Sequence, residues 1–336
     1  MQRNSACKFA SVVAAAAFIG GCSSWFQPTN KVLVREPGDR LYSDPVDVEE
    51  EAKNHWEFAL LSLAAYSKID SESDDTQKII GTQQTTPLGD EIASCLKSPT
   101  SKLRDAGWTY WPDFPDAQLK DDLVRSNLRV EVWERNSPPA VAVAFGGTVF
   151  TSKADWMANL RWFIPHNQDE YTELVKRIVP AFLTRYHQLC ENSVSEQPPI
   201  YSTGHSLGGG LAQEFAYALP MKPGDPKVVK VFAFDPSPVT GYYSVAPEIR
   251  ERGKDGLRID RIFERGEVLA SVRSALALIY PPSTSNPTVR AVRYNFEGIT
   301  NPVTAHSIPK LACALFAHRP GGSSAMGNAA KRSAAQ

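Results

Sequence analysis

Ser206 lies between two glycines in Gly204-His205-Ser206-Leu207-Gly208, where the apolar run from Ile200 to Thr203 passes into residues of helical spacing. A serine hydroxyl is a weak nucleophile near neutral pH. It needs a base to take its proton and N–H donors facing the oxyanion that its attack would create. Glycine on either side leaves no Cβ to clash in a sharp strand-to-helix turn with Ser206 at its apex, and the N–H of Leu207 then points to where an oxyanion would form. The same pattern arises by chance in loops rich in Gly and Ser, so context decides. Leu207, Leu211, Ala212, Phe215, Ala216 and Leu219 follow at helical spacing, which completes the order strand, serine, helix. Gly209 and Gly210 weaken the first helical turn by about 1 kcal/mol each, which is understandable if the helix must approach the sheet closely.

A base has to come from six histidines. His205 adjoins Ser206, and neighbouring residues at such a turn point apart, so it shapes the turn. His55, His166 and His187 precede the serine, against the order nucleophile, acid, histidine, and that leaves His306 and His318. His306 follows a strand-like run and opens the apolar stretch from Ile308 to Phe316; His318 borders the tail. Two carboxylates stand where an orienting acid is drawn from: Asp235, which ends the first strand after the turn, and Glu267, after the next. Asp260 and Glu264 read as strand-surface charges.

The elements that must position these groups alternate between strand and helix. Trp56, Ala59, Leu60, Leu63, Ala64 and Tyr66 make a helical stripe, so Glu50 to Ser67 is expected to be a helix packed on the sheet. Leu128 to Arg135 alternates and Ala140 to Phe145 is continuously apolar, which predicts two adjacent strands joined at Ser137-Pro138-Pro139, the second covered on both faces. Glu173 to Cys190 has one apolar face and a kink at Pro180; it leads into the serine strand as a crossover helix. Further strands are expected at Val228 to Phe234, Arg258 to Phe263 and Val289 to Phe296. Asp70 to Asp122 is polar, carries an aromatic patch at Trp108, Tyr110 and Trp111, and yields no assignment.

The formal net charge of −1 over 336 residues, with Lys and Arg scattered, suggests no nucleic-acid partner. Arg3 and Lys8 precede an apolar stretch from Phe9 to Ile19, too short for a permanent membrane helix and typical of an export signal. It ends in Ile19-Gly20-Gly21-Cys22, which resembles a bacterial lipobox. Residues 1–21 then form a signal peptide, with Cys22 acylated as the anchor. Ser23 rather than Asp after it implies the Gram-negative outer membrane. An ordinary signal cleaved near Ala15 to Ala17 would instead leave Cys22 a thiol. Residues 22–49, broken by Pro28, Pro37 and Pro45, are expected to be a tether, residues 50–318 the folded domain, and residues 319–336 a disordered tail. Cys95, Cys190 and Cys313 lack C-x-x-C spacing, so no metal site is expected; one disulfide is possible, its pairing unreadable.

Several segments in order resemble the class 3 (fungal-type) lipase family: LLSLAAYSK at 60–68, AFGGT at 144–148, DWMANL at 155–160, GHSLGG at 204–209, VFAFDPSPV at 231–239, RIFERGEVL at 261–269 and AHS at 305–307. The resemblance implies an α/β-hydrolase fold, a mostly parallel central sheet with helices on both faces, and a serine carboxylic-ester hydrolase of lipid acyl esters that needs no metal or organic cofactor. It implies His306 as base and Glu267 as acid, with Asp235 the alternative. A Glu stands where the family usually has Asp, and either carboxylate can hold an imidazole tautomer. It implies Thr148 beside Leu207 in the oxyanion hole, with Gly146 in place of the usual Arg, and a lid at 155–160 in which Trp156 and Leu160 cover the site, although an apolar segment of this kind can equally be core. The same chemistry would serve an esterase or acyltransferase acting on short-chain or polysaccharide-linked acyl groups. A membrane-tethered binding protein would require a broken set of these residues.

Overall fold

The structure, a computed structural model, describes residues 28–66, 86–126, 128–147, 170–191, 197–267, 269, 283–298 and 302–323. Pro139–Gly146 (β5) buries both of its faces. Ala140, Ala142 and Ala144 join one core, and Val141, Val143 and Phe145 the other. A strand covered on both sides needs helices on both sides. Val48–Ala64 (α1), Pro87–Lys97 (α2) and Ile308–Ala317 (α9) supply the first layer. The second is Glu170–Glu191 (α5), Leu207–Ala218 (α6) and Pro247–Lys254 (α7). In chain order the short Pro99–Asp105 (α3) and Ala117–Arg125 (α4) come between α2 and α5, and Pro302–Ala305 (α8) precedes α9.

Among the described residues the sheet has nine strands. With β5 run Lys31–Arg35 (β1), Val46–Asp47 (β2), Trp108–Tyr110 (β3), Arg129–Asn136 (β4), Ile200–His205 (β6), Val228–Phe234 (β7), Arg258–Glu264 (β8) and Thr288–Tyr294 (β9), in the order β2-β1-β9-β8-β7-β6-β5-β4-β3. Strands β5 to β9 are mutually parallel, and at either edge two further strands join through antiparallel pairings, β9 to β1 to β2 and β5 to β4 to β3. This is the doubly covered, mostly parallel sheet of an α/β hydrolase, and the turn after β6 lies near its middle.

Several expectations are corrected. Lys31–Arg35, placed in the tether by the surrounding prolines, pairs with β9 and sends Val32 and Val34 into the core; a five-residue alternation is a strand once an edge is free to receive it. The first helix starts at Val48 and carries Glu49, Glu50 and Glu51 in its first turn, which suit the positive end of its dipole. Asp70 to Asp122, left unassigned, holds α2, α3, β3 and most of α4 within its described part. In the expected tail, Arg319 pairs with Glu91, and the Ser323 N–H bonds the same carboxylate. In α5 the expected kink is a π turn, Leu174–Ile178, just ahead of Pro180, whose ring cannot fit over a regular preceding turn. Cys95 of α2 and Cys313 of α9 form a disulfide, and Cys190 keeps its thiol. No described helix is long and apolar enough to cross a membrane. The signal at 1–21 and Cys22 lie outside the described residues.

Asp260 is no surface charge. It is 3 % exposed, between α1 and the sheet, and accepts from His55 Nε2 at 3.1 Å and Lys230 Nζ at 2.7 Å. His55 Nδ1 lies 2.8 Å from the Tyr294 hydroxyl, so both ring nitrogens have a partner. Burial alone would raise the carboxyl pKa; hydrogen bonds and charge from His55 and Lys230 outweigh it and lower the value from 3.8 to about 2. A folded value below the unfolded one stabilises above about pH 4, and that stabilisation is lost as pH falls toward 2. Asp260→Asn is therefore expected to cost on the order of 2 kcal/mol at pH 7 and to flatten the decline between pH 4 and 2, read from urea unfolding across that range.

Candidate active site

Ser206 follows β6 directly and carries the left-handed backbone φ 56°, ψ −122°, a conformation that costs an ordinary residue about 1–3 kcal/mol. Three backbone bonds hold it there. Its N–H donates to Phe234 O at 2.9 Å, and its carbonyl accepts from Gly209 at 3.0 Å and Ser237 at 2.9 Å. The flanking glycines are needed for close approach rather than for their own φ. A Cβ on Gly204 would stand 2.2 Å from Gly208 O, and one on Gly208 would stand 2.2 Å from Phe145 O. Gly209 and Gly210 make room on the other side of the helix, where Pro236, the Tyr171 hydroxyl and Val239 O crowd in; the sheet is not their neighbour as expected, apart from Gly204 O. Leu207 opens α6, so its N–H is among the first four that have no acceptor inside the helix.

His306 comes from the opposite side of the sheet's end, in the turn between α8 and α9. Its Nε2 is 3.0 Å from Ser206 Oγ and its Nδ1 is 2.9 Å from Glu267 Oε2. The Leu269 N–H donates to that same Glu267 oxygen at 2.8 Å. Serine, imidazole and carboxylate thus form one hydrogen-bonded row, with His306 and Glu267 both buried. The carboxylate fixes the proton on Nδ1 and leaves Nε2 facing the serine. The competing histidine is elsewhere: His318 Nδ1 bonds Ala314 O in its own helix and its ring packs on Phe296. Thr148, Trp156 and Leu160 lie outside the described residues.

Asp235 is also buried at this end of the sheet, with a left-handed φ of 40°. Its Oδ1 accepts the Glu264 N–H at 3.1 Å, and its Oδ2 lies 3.8 Å from His205 Nε2. Glu264, expected at the surface, is 2 % exposed. Burial raises its pKa from 4.5 to about 8, with the neighbouring charges of Asp235 and Glu297 acting the same way and the Glu297 N–H opposing. Of the three carboxyls gathered here, Glu264 is therefore neutral near pH 7. Sequence reasoning missed Tyr66 as a member of the site. Its hydroxyl lies 2.9 Å from His205 Nδ1, a contact across 139 residues that no local pattern announces. His205, Asp235 and His306 offer three possible donors to a metal within 4.8 Å of one another. Each is committed to protein contacts, and the row described above uses both nitrogens of His306.

The fold is that of an α/β hydrolase, with a serine at the strand-to-helix turn after β6. Residues 142–274 match the family model described as lipase (class 3), a span that runs from β5 through the Ser206 turn and Asp235 to beyond Glu267. With that match the chain is a carboxylic-ester hydrolase, similar over these residues to the class 3 lipases. No curated protein sequence matches it. Among solved structures it is loosely similar to a fungal lipase in an inhibitor complex (16% identity, 64% of this chain and 72% of that one, TM-score 0.35). Similar again are Rhizomucor miehei lipase with its propeptide (14%, 74% and 66%, 0.36) and Lip2 lipase of Yarrowia lipolytica (16%, 49% and 62%, 0.30).

The neutral Glu264 carries a sign. An acid whose folded pKa lies above its unfolded one holds the extra proton in the folded state, so stability is greatest below about pH 4.5 for this group and falls as pH rises to about 8. Glu264→Gln, which keeps a neutral side chain of the same size, is expected to raise Tm at pH 8 and to lose the advantage at pH 5. Differential scanning calorimetry at the two pH values checks this.

Proposed function

We propose that this chain hydrolyses lipid acyl esters through an acyl-enzyme on Ser206. His306 Nε2 takes the Oγ proton as Oγ bonds the acyl carbonyl carbon; the carbonyl oxygen becomes an oxyanion facing the N–H of Leu207 and the donors of Thr148. The imidazolium, held by Glu267, then gives that proton to the alcohol oxygen as the ester C–O bond breaks. Water repeats the sequence on the acyl-enzyme: His306 accepts its proton and returns it to Ser206 as the fatty acid leaves. What supports this reading is the unbroken chain of contacts from Ser206 Oγ through His306 to Glu267, 3.0 and 2.9 Å, at a strained strand-to-helix turn. Glu267 is the acid of this proposal because its carboxylate meets Nδ1, whereas Asp235 faces His205.

The site of action we infer is the bacterial envelope, with Cys22 acylated and the domain held at the outer membrane. The lipobox-like run ending at Cys22 supports this, and the Cys95–Cys313 disulfide is chemistry of an oxidising compartment. A membrane-bound hydrolase meets phospholipid and glyceride esters at high local concentration.

Ser206→Ala and His306→Ala are each expected to lower kcat on triacylglycerol or diacylphospholipid by about 10⁴-fold or more, with Tm nearly unchanged. Glu267→Gln is expected to lose about 10³–10⁴-fold and Asp235→Asn far less. Fatty-acid release measured side by side decides, and the reverse ranking would move the acid to Asp235. Cys22→Ala is expected to shift the protein from the membrane to the soluble fraction of the producing cell; identical fractionation of both forms would refute the anchor.

A further inference from the structure

His205, next to the nucleophile, is built into the site by three separate elements. Its Nδ1 lies 2.9 Å from the hydroxyl of Tyr66, at the end of α1, and that hydroxyl is also 3.3 Å from His205 O. Its Nε2 lies 3.1 Å from the carbonyl oxygen of His306, 101 residues away. A carbonyl only accepts, so of the two neutral tautomers the one present carries its proton on Nε2, donates to His306 O, and receives the Tyr66 O–H at Nδ1. The two imidazoles lie 4.8 Å apart between centroids, and the Asp235 carboxylate stands beside Nε2.

The bonded carbonyl belongs to the turn that delivers the His306 imidazole. That turn is short, between α8 and α9, and the position of Nε2 relative to Ser206 Oγ follows from where its backbone sits. Tyr66 reaches one element further. A Cβ on Gly147 would lie 2.4 Å from the Tyr66 hydroxyl and 2.7 Å from His205 O, so this phenol occupies space that only a glycine at the end of β5 leaves open. One side chain thus bears on the β5 end, and through His205 on the nucleophile turn and the histidine turn.

We propose that His205 is a positioning residue for the ester hydrolysis proposed above, tying the backbone of His306 to the Ser206 turn, with Tyr66 setting its tautomer. The inference rests on Ser206 and His306 being nucleophile and base. Displacement of a base by about 1 Å can cost as much as 100-fold in rate without touching substrate binding. The effect therefore belongs in kcat.

The test is steady-state hydrolysis of a soluble short-chain ester by Ser206→Ala, His205→Phe, His205→Gln and Tyr66→Phe, each compared with wild type in Tm. His205→Phe keeps ring volume and loses the donor, and is expected to lower kcat by about 10–100-fold with KM within about twofold. His205→Gln places an amide N–H where the imidazole Nε2 stood and is expected to recover to within about fivefold of wild type. Tyr66→Phe removes only the hydroxyl and is expected to lower kcat by several-fold, and it serves as the second variant should His205→Phe fold poorly. Wild-type kcat in both His205→Phe and Tyr66→Phe, or a fall in His205→Gln as deep as in His205→Phe, would overturn the proposal. Full activity in Ser206→Ala would instead overturn the assignment beneath it, and so separates the two.

Discussion

The rest of the site depends on how closely the first turn of α6 lies against the strands beneath it. Gly204, Gly208 and the Phe145 carbonyl occupy a space in which any added Cβ would fall about 2.2 Å from a backbone oxygen. With no side chain between them, β6 passes into α6 without a loop, and Ser206 takes a left-handed backbone because the chain must reverse there within one residue. The strain is held by backbone bonds from β7 and from the segment after it, so Ser206 keeps its place whether or not its hydroxyl is engaged. A hydroxyl carried on a backbone fixed in this way has little positional freedom left.

Around that point the ends of two neighbouring parallel strands bring together carboxyls that could not all remain charged in the same surroundings. Asp235 ends β7, Glu264 ends β8 and Glu267 follows three residues later. Each is given a different task by what it meets. Glu267 finds an imidazole and a backbone N–H, and Asp235 finds the Glu264 N–H and the edge of His205. Glu264 meets buried surroundings and two like charges, and retains its proton. Neutralising one carboxyl spares its neighbours part of the repulsion they would otherwise exert.

The histidine turn is steadied from behind. Helix α9, which begins two residues after His306, is joined to α2 by the Cys95–Cys313 disulfide, and Arg319 just past its end pairs with Glu91 of α2. The first-layer helices are thereby fixed to one another on the side from which the imidazole is delivered, while α1 is anchored to the sheet through the buried His55–Asp260 contact. Polar contacts inside a mostly apolar layer carry directional information that apolar packing lacks, and here they lie behind the elements that present Ser206 and His306.

The sequence alone was enough to place the strand-serine-helix turn, the doubly covered β5 and the crossover helix, because each rests on residues a few positions apart whose periodicity or sterics are local. It also narrowed the base to two residues and the acid to two. It left Asp235 and Glu267 both open on local grounds, since both follow a strand and either carboxylate can orient an imidazole; that a Glu267 oxygen meets His306 Nδ1 is a fact of the tertiary structure. Nor could it reveal that Asp260 and Glu264 are buried, for a charged residue in an alternating strand reads as exposed until the helix that covers it is known. Lys31–Arg35 became a strand only because β9 offered it an edge. Tyr66, the cysteine pairing and the protonated Glu264 follow from contacts between residues far apart in the chain, and from burial, which is a property of the packed layers rather than of any segment within them.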